Sequence, residues 1–242
     1  MRQSRFRWSA FALLALSLVA KASLASGECV VLLHGLARTS DSMAKIEDAL
    51  RASGYSTANV DYPSREHTIE ALAPEAVERG LDACRVRGPR TIHFVTHSLG
   101  GILVRYYLRD HAIPELGRVV MLGPPNQGSE VIDRFGDVPG FGAVNGPAGG
   151  QLGTGEGSVP LALGPVSYPV GVIAGTKSIN PILSSALPDP DDGKVSVERT
   201  RVEGMSDFIA IESSHPFLMR NAEAIRQTLA FLGNGAFIHD TP

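Results

Sequence analysis

Residues 91–104, TIHFVTHSLGGILV, constrain this chain more than any other stretch. The first half is a short run rich in β-branched, aromatic and aliphatic side chains, the mark of a buried strand. From Ile102 to Arg109 there is neither glycine nor proline, and the chain reads as a helix. Between the two the backbone must change direction within a few residues, with Ser98 at the apex. A turn of that kind strains the serine backbone and lifts its hydroxyl above the sheet. Small residues two positions to either side let strand and helix pass closely. Gly100 and Gly101 meet that need on the helix side, whereas Thr96 stands where glycine is usual. Taken alone, the stretch is equally well read as a Ser-Gly-Gly turn without chemical consequence.

Around it, strands and helices alternate. Residues 29–33, 55–60, 118–122, 170–174 and 208–211 read as further strands, and 41–53, 68–84 and 217–231 as helices. Ser40 or Asp41 can cap the first of these helices and Gly54 ends it, Pro74 belongs to the early turns of the second, and Pro216 opens the last. This spacing predicts one α/β domain over 26–242, with a mostly parallel central sheet, right-handed crossovers and helices on both faces. Runs such as VVLL and VVML, apolar without alternation, fit strands covered on both sides. A chain of 242 residues, 43% hydrophobic, suffices for one core and is short for two.

Residues 195–202 are ambiguous, and from 135 to 168 regular structure is expected to fail. Within that stretch, 136–157 hold nine glycines, Pro139 and Pro147, with Val138, Phe141, Val144 and Leu152 scattered among them. So long a loop in a compact domain is a lid or binding loop, or else disordered. Ligands of open parallel sheets sit beyond the carboxyl ends of the strands. His34, Gly35, Leu36, Tyr62, Ser98 and the segment 124–129, which opens with Pro124 and Pro125, all fall there. His34, Gly35, Tyr62, Pro124 and Pro125 are therefore candidate substrate-binding residues.

Residues 1–25 stand apart from the domain. Arg2, Arg5 and Arg7 precede an apolar run over 11–20, with small residues following at Ala22, Ser23 and Ala25. A basic head, a short apolar middle and an A-x-A-like end predict a secretory signal peptide, cut after Ala22 or after Ala25. The alternative, an uncleaved membrane anchor, would have a short span. Glu28 before Cys29 does not suit lipid attachment. The expected location is periplasmic or extracellular. Cleavage would remove four basic residues and no acid, moving the formal charge from −3 to −7. No basic run is left to follow a phosphate backbone, so nucleic acid is not an expected partner. Cys29 and Cys84 are the only cysteines. In an exported chain they can oxidise. Cys29 begins the first strand and Cys84 ends the helix before the strand 91–97, both at the amino-terminal edge of a parallel sheet. A disulfide is expected, with two buried thiols as the other reading.

A serine hydroxyl becomes a useful nucleophile when an imidazole takes its proton and a carboxylate fixes that imidazole. In sheets of this order the acid follows the penultimate strand and the histidine the last. Asp192 and His215 stand there. His215 lies in a polar Ser-Ser-His turn, away from any helical stripe. His34 and His97 flank the site but are held in their own turns, and His67, His93, His111 and His239 have weaker claims. No H-E-x-x-H or comparable spacing calls for a metal. Gly193 frees the backbone to turn Asp192 inward, while Asp189 and Asp191 share the loop and are alternatives. Read alone, the acidic cluster is also a surface turn or a weak calcium loop. The backbone N–H groups of Leu36 and Leu99 are the expected oxyanion donors.

Together, VVLLHGL, THSLGG, GPPNQGS, DDGKV and SSHPF, spread over residues 30–217, resemble the bacterial lipase/esterase branch of the α/β-hydrolase family across nearly the whole chain after the leader. The resemblance implies the α/β-hydrolase fold in a minimal form without a large cap domain. It implies Ser98 as nucleophile, His215 as base, Asp192 as acid, Leu36 and Leu99 as oxyanion donors, and 123–129 as a loop lining the acyl site. The implied substrate is a small-molecule or lipid ester, with transient contact to a lipid surface and no cofactor. Thioester, amide and phospholipid substrates stay open, as does a non-catalytic binding protein of the same fold. Thr96 and a glycine-rich stretch unlike a helical lid depart from the family pattern.

Overall fold

The computed structural model describes residues 27–239, so the expected leader over 1–25 lies outside the described residues. Six strands form one sheet: β1 (Glu28–Leu33), β2 (Ser56–Val60), β3 (Thr91–His97), β4 (Leu116–Leu122), β5 (Val170–Gly175) and β6 (Asp207–Ile211). Their order is β2-β1-β3-β4-β5-β6, and every pairing is parallel. The chain winds outward from β1 to β2 in one direction and from β3 to β6 in the other. The point where the winding reverses lies between β1 and β3, which is where such sheets open a crevice. The turn after β1 and the turn after β3 thus face each other.

The helices among the described residues are α1 (Ala44–Ala52), α2 (Ile69–Arg85), α3 (Leu99–Asp110), α4 (Glu130–Phe135), α5 (Phe141–Gly150), α6 (Val159–Ala162), α7 (Pro181–Ser184), α8 (Val197–Thr200) and α9 (Ala222–Asn234). Strand periodicity divides the core. Val31, Leu33 and Phe94 pack with Leu72, Val77, Ile102 and Leu103 of α2 and α3. Val30, Leu32 and Val95 pack on the opposite face with Ile46, Leu50, Ala224 and Phe231 of α1 and α9. Burial on both faces explains strands that read VVLL. No helix among the described residues is long and apolar enough to cross a membrane.

At the far, amino-terminal end of the strands Cys29 and Cys84 are joined in a disulfide, with Cα atoms 5.8 Å apart and no exposure at either residue. At the carboxyl end, Thr96 fits its turn because the space is taken from the other partner. A Cβ on Gly101 would lie 3.2 Å from the Thr96 hydroxyl, which itself donates to Val120 O at 3.3 Å.

Several sequence expectations are corrected. The stretch from 135 to 168 is irregular only in part: α5, kinked at Gly146, and α6 lie within it, joined by turns over 136–140 and 151–158. Its glycines serve close approach. Gly146 has φ +65, and a Cβ there would lie 2.0 Å from Arg65 O. Beside it, Ala148 N–H donates to His67 O at 3.2 Å, and Gln151 Oε1 accepts the Ile69 N–H at 2.7 Å. Ser129 and Ser158 cap α4 and α6 through their side chains. The last helix starts at Ala222, not 217. Pro216 opens a 3-10 turn over His215–Arg220, and Asn221 then caps α9 by accepting the N–H groups of Glu223 and Ala224. The ambiguous residues 195–202 contain α8, capped by Ser196.

Candidate active site

β3 ends at His97 and α3 begins at Leu99, so the whole change of direction falls on Ser98, at φ +53 and ψ −120. A side-chain-bearing residue at positive φ is strained and persists only where neighbours hold it. Ser98 N–H donates to Leu122 O at 2.9 Å, and Ser98 O accepts from Gly101 N–H at 3.0 Å. The hydroxyl stands 3.0 Å from His215 Nε2. On the other edge of the ring, His215 Nδ1 lies 2.7 Å from Asp192 Oδ2.

Asp192 is fully buried, and its Oδ1 accepts the N–H groups of Lys194 and Val195 at 3.0 and 2.9 Å. A carboxylate that only accepts requires the proton on His215 Nδ1, which leaves the Nε2 lone pair for the serine O–H. His215 N–H also donates to Asp192 O at 2.9 Å, fixing backbone to backbone. The neighbouring acids point elsewhere. Asp191 accepts from the Ser184 hydroxyl and from Gly193 N–H, and Asp189 is exposed.

Leu36 and Leu99 flank Ser98. Leu99 sits in the first turn of α3, whose N–H groups have no acceptor within the helix and whose dipole end favours negative charge. Leu36 lies in the turn after β1. That turn is held by Ser64, whose hydroxyl accepts the N–H of Ala37 at 3.1 Å, and Ala37 itself sits at φ +55. Gly35 lets the turn reach the serine: a Cβ there would be 2.6 Å from His97 Nδ1 and 3.1 Å from Ser98 Cβ.

A cavity of about 340 Å³ opens beside Ser98, His215 and Asp192. Leu36, Val131, Ile132, Val144 and Leu152 supply apolar wall, so the glycine-rich segment contributes part of the lining. Pro125 also lines it. His34, Gly35, Tyr62 and Pro124 do not. The His34 and Tyr62 rings stack at 4.1 Å, the Tyr62 hydroxyl donates to His34 O, and Tyr62 N–H donates to His34 Nε2 at 3.3 Å. Burial holds His34 below the ordinary imidazole range.

Two residues at the site have parts that the sequence does not assign. Ser64 is one; nothing in Tyr62-Pro63-Ser64 announces a hydroxyl aimed at residue 37. His97 is the other. It is 1% exposed, its Nε2–H donates to His215 O at 3.0 Å, and its ring lies 4.8 Å from the His215 ring. Its Nδ1 has no partner within the described residues. Burial first, and then the nearby His215, hold its pKa well below the ordinary value, so it is neutral. Its position directly before Ser98 was the available signal. Farther back, the buried Arg105 guanidinium of α3 donates to Asn126 O and Gly164 O at 2.8 and 2.6 Å. It thereby ties the 123–129 loop to the segment after α6, and burial lowers its pKa to about 10.

A model of the alpha/beta hydrolase family matches residues 30–231. Among solved structures, the mature form of the Bacillus licheniformis lipase BlEst2 superimposes with a TM-score of 0.67 at 18% identity, covering 86% of this chain and 91% of that one. The metagenomic carboxyl esterase MGS0156 gives 0.59 at 18%, covering 78% and 65%. The phospholipase PlaB of Legionella pneumophila gives 0.59 at 20%, covering 72% of this chain but 45% of that longer one. No curated protein matches the sequence. At these identities the structural likeness shows a shared fold.

Proposed function

Since the chain belongs to the alpha/beta hydrolase family, we propose that it is an exported serine hydrolase of carboxylic esters, with Ser98 as nucleophile, His215 as base and Asp192 as acid. The observation that carries this is the unbroken relay beside an apolar cavity, from Ser98 Oγ to His215 Nε2 at 3.0 Å and from Nδ1 to Asp192 at 2.7 Å.

In this reading Ser98 Oγ attacks the ester carbonyl while its proton passes to His215 Nε2. Asp192 holds the imidazole tautomer and stabilises the imidazolium that forms. The tetrahedral oxyanion is received by the N–H groups of Leu36 and Leu99, each such donor contributing about 3 kcal/mol to the transition state. Collapse returns the proton from His215 to the departing alcohol and leaves an acyl-Ser98. Water, deprotonated by the same imidazole, then releases the acid and restores the hydroxyl. These steps use only the named groups and water.

The names of the fold neighbours, a lipase, a carboxyl esterase and a phospholipase, support an ester substrate. Exposed Ile179, Ile182, Val144 and Phe217 on the elements around the cavity mouth support transient contact with a lipid surface. The leader-like residues 1–25 and a disulfide support export.

The test is hydrolysis of p-nitrophenyl butyrate and p-nitrophenyl octanoate by the wild type and by Ser98→Ala. The wild type should turn over at least one of them, and the variant should lose about 10⁴-fold or more in kcat. Equal rates for the two proteins would remove the mechanism.

A further inference from the structure

Two cations line the cavity beside Ser98 without a part in the proposed chemistry. Arg38 follows the oxyanion turn, and Lys194 follows Asp192-Gly193. Neither side chain forms an ion pair or a hydrogen bond within the described residues. Arg38 is exposed, whereas Lys194 is half-buried. The Lys194 ammonium is held below the ordinary lysine value, first by burial, with Asp192 opposing and the Arg38 charge adding to the effect. Each is close enough to feel the other.

An empty site of this composition is unfavourable. A partly dehydrated ammonium loses hydration with no ion pair to replace it, and a second cation repels it. Asp192, the only carboxylate lining the cavity among the described residues, is already committed to His215 and to two backbone N–H groups. The arrangement also runs against the chain as a whole, which carries more acids than bases. An anion placed between the two side chains would relieve both costs. Arg38 borders a second, polar depression of about 750 Å³ as well. There Asp41, Asp61 and Glu66 stand among the arginines, so the favourable place for an anion is the Arg38–Lys194 end.

We propose that Arg38 and Lys194 form an anion-binding subsite at the mouth of the cavity, and that the preferred ester carries a carboxylate, sulfate, sulfonate or phosphate group close to its scissile carbonyl. This rests on the ester-hydrolase reading above and narrows its substrate class.

Two matched pairs of esters separate the possible sources of the anion. Mono-p-nitrophenyl glutarate and p-nitrophenyl valerate differ by a carboxylate on the acyl side. 4-Acetoxybenzenesulfonate and phenyl acetate differ by a sulfonate on the alcohol side. The measured quantity is kcat/KM for the anionic member over its neutral partner, each corrected for its own hydroxide-catalysed rate. In the wild type this ratio should exceed about 10 for at least one pair, the worth of one charge-assisted hydrogen bond. It should shrink as salt is raised. Lys194→Gln and Arg38→Gln should each lower it by about 5-fold or more. A wild-type ratio near one for both pairs, or a ratio that neither variant changes, would overturn the subsite while leaving the hydrolase standing. If the wild type hydrolyses none of the four esters, the butyrate and octanoate assay decides the hydrolase reading, and calorimetry decides the subsite independently. Pentyl phosphate should then bind Ser98→Ala at least about 5-fold more tightly than Ser98→Ala/Lys194→Gln; equal affinities would overturn it.

Discussion

His97 Nε2–H donates to the backbone carbonyl of His215 at 3.0 Å, so the residue before the candidate nucleophile holds the residue that would activate it. The same ring also lies against Gly35 of the turn after β1. One buried, neutral imidazole therefore spaces three parts of the site.

Removing that donor should disturb His215 more than it disturbs substrate binding. His97→Ala is expected to lower kcat on a p-nitrophenyl ester by about 10-fold or more, with KM changed less. His97→Asn keeps an N–H donor and should recover part of the loss. Steady-state kinetics on the three proteins check this, and identical kcat values would show that the contact does not position the base.

The Ser64 hydroxyl should act in the same way, through the turn after β1 that is proposed to receive the oxyanion. Without its bond to Ala37 N–H, the strained residue at φ +55 loses a restraint and the Leu36 N–H is less well aimed. Ser64→Ala should reduce kcat by about 10-fold, less than loss of a whole donor. Circular dichroism should show an unchanged fold, and an unchanged kcat would place the hydroxyl outside the site's support.

The parallel sheet and the sharp turn at Ser98 were legible because each rests on local chemistry, and Asp192 and His215 were candidates because they follow the last two strands. VVLL and IHFV, short and rich in β-branched or aromatic residues, favour strands covered on both sides, and a Ser-Leu-Gly-Gly turn leaves few conformations. The glycine-rich segment was not legible. Its helices are short, they draw their partners from residues 65–70, and Gly146 reads as flexibility when its structural use is contact with Arg65. The start of α9 was missed because Pro216 is as good an opening for a 3-10 turn as for an α-helix. Of the acids, Asp192 was preferred for the glycine after it, but only the fold separates its carboxylate from that of Asp191, one residue away and turned to Ser184.

Acid should weaken the folded state from near neutrality. Burial is the largest cause holding His34, His93 and His97 below the ordinary value of 6.5. As pH falls through about 6.5 the unfolded chain takes up protons on these rings and the folded chain does not. Their stabilising contribution is thus complete above that pH. It is lost below it by up to about 1.4 kcal/mol per pH unit for each ring, until the ring's folded pKa is reached. Urea unfolding at pH 7.5 and pH 5.5 should show the lower midpoint at pH 5.5; a flat or rising midpoint would contradict the burial argument.

The disulfide should matter to stability and hardly to chemistry, since it joins residues 55 apart at the end of the sheet away from Ser98. Closing a loop of that length is worth about 4 kcal/mol in the chain-entropy estimate. Cys29→Ser/Cys84→Ser should lose about 2–5 kcal/mol in denaturant unfolding while the folded protein keeps its kcat. A loss of activity without a loss of stability would show that the bridge serves the site.

The most direct measurement is the mass of the protein after brief exposure to a fluorophosphonate, which reacts far faster with a serine made nucleophilic by its neighbours than with other side chains. One phosphonyl group should be gained, it should map to the peptide holding Ser98, and Ser98→Ala, His215→Ala or Asp192→Ala should abolish or sharply slow its uptake. No adduct on the wild type, or one that maps elsewhere and survives in Ser98→Ala, would contradict Ser98 as the activated nucleophile.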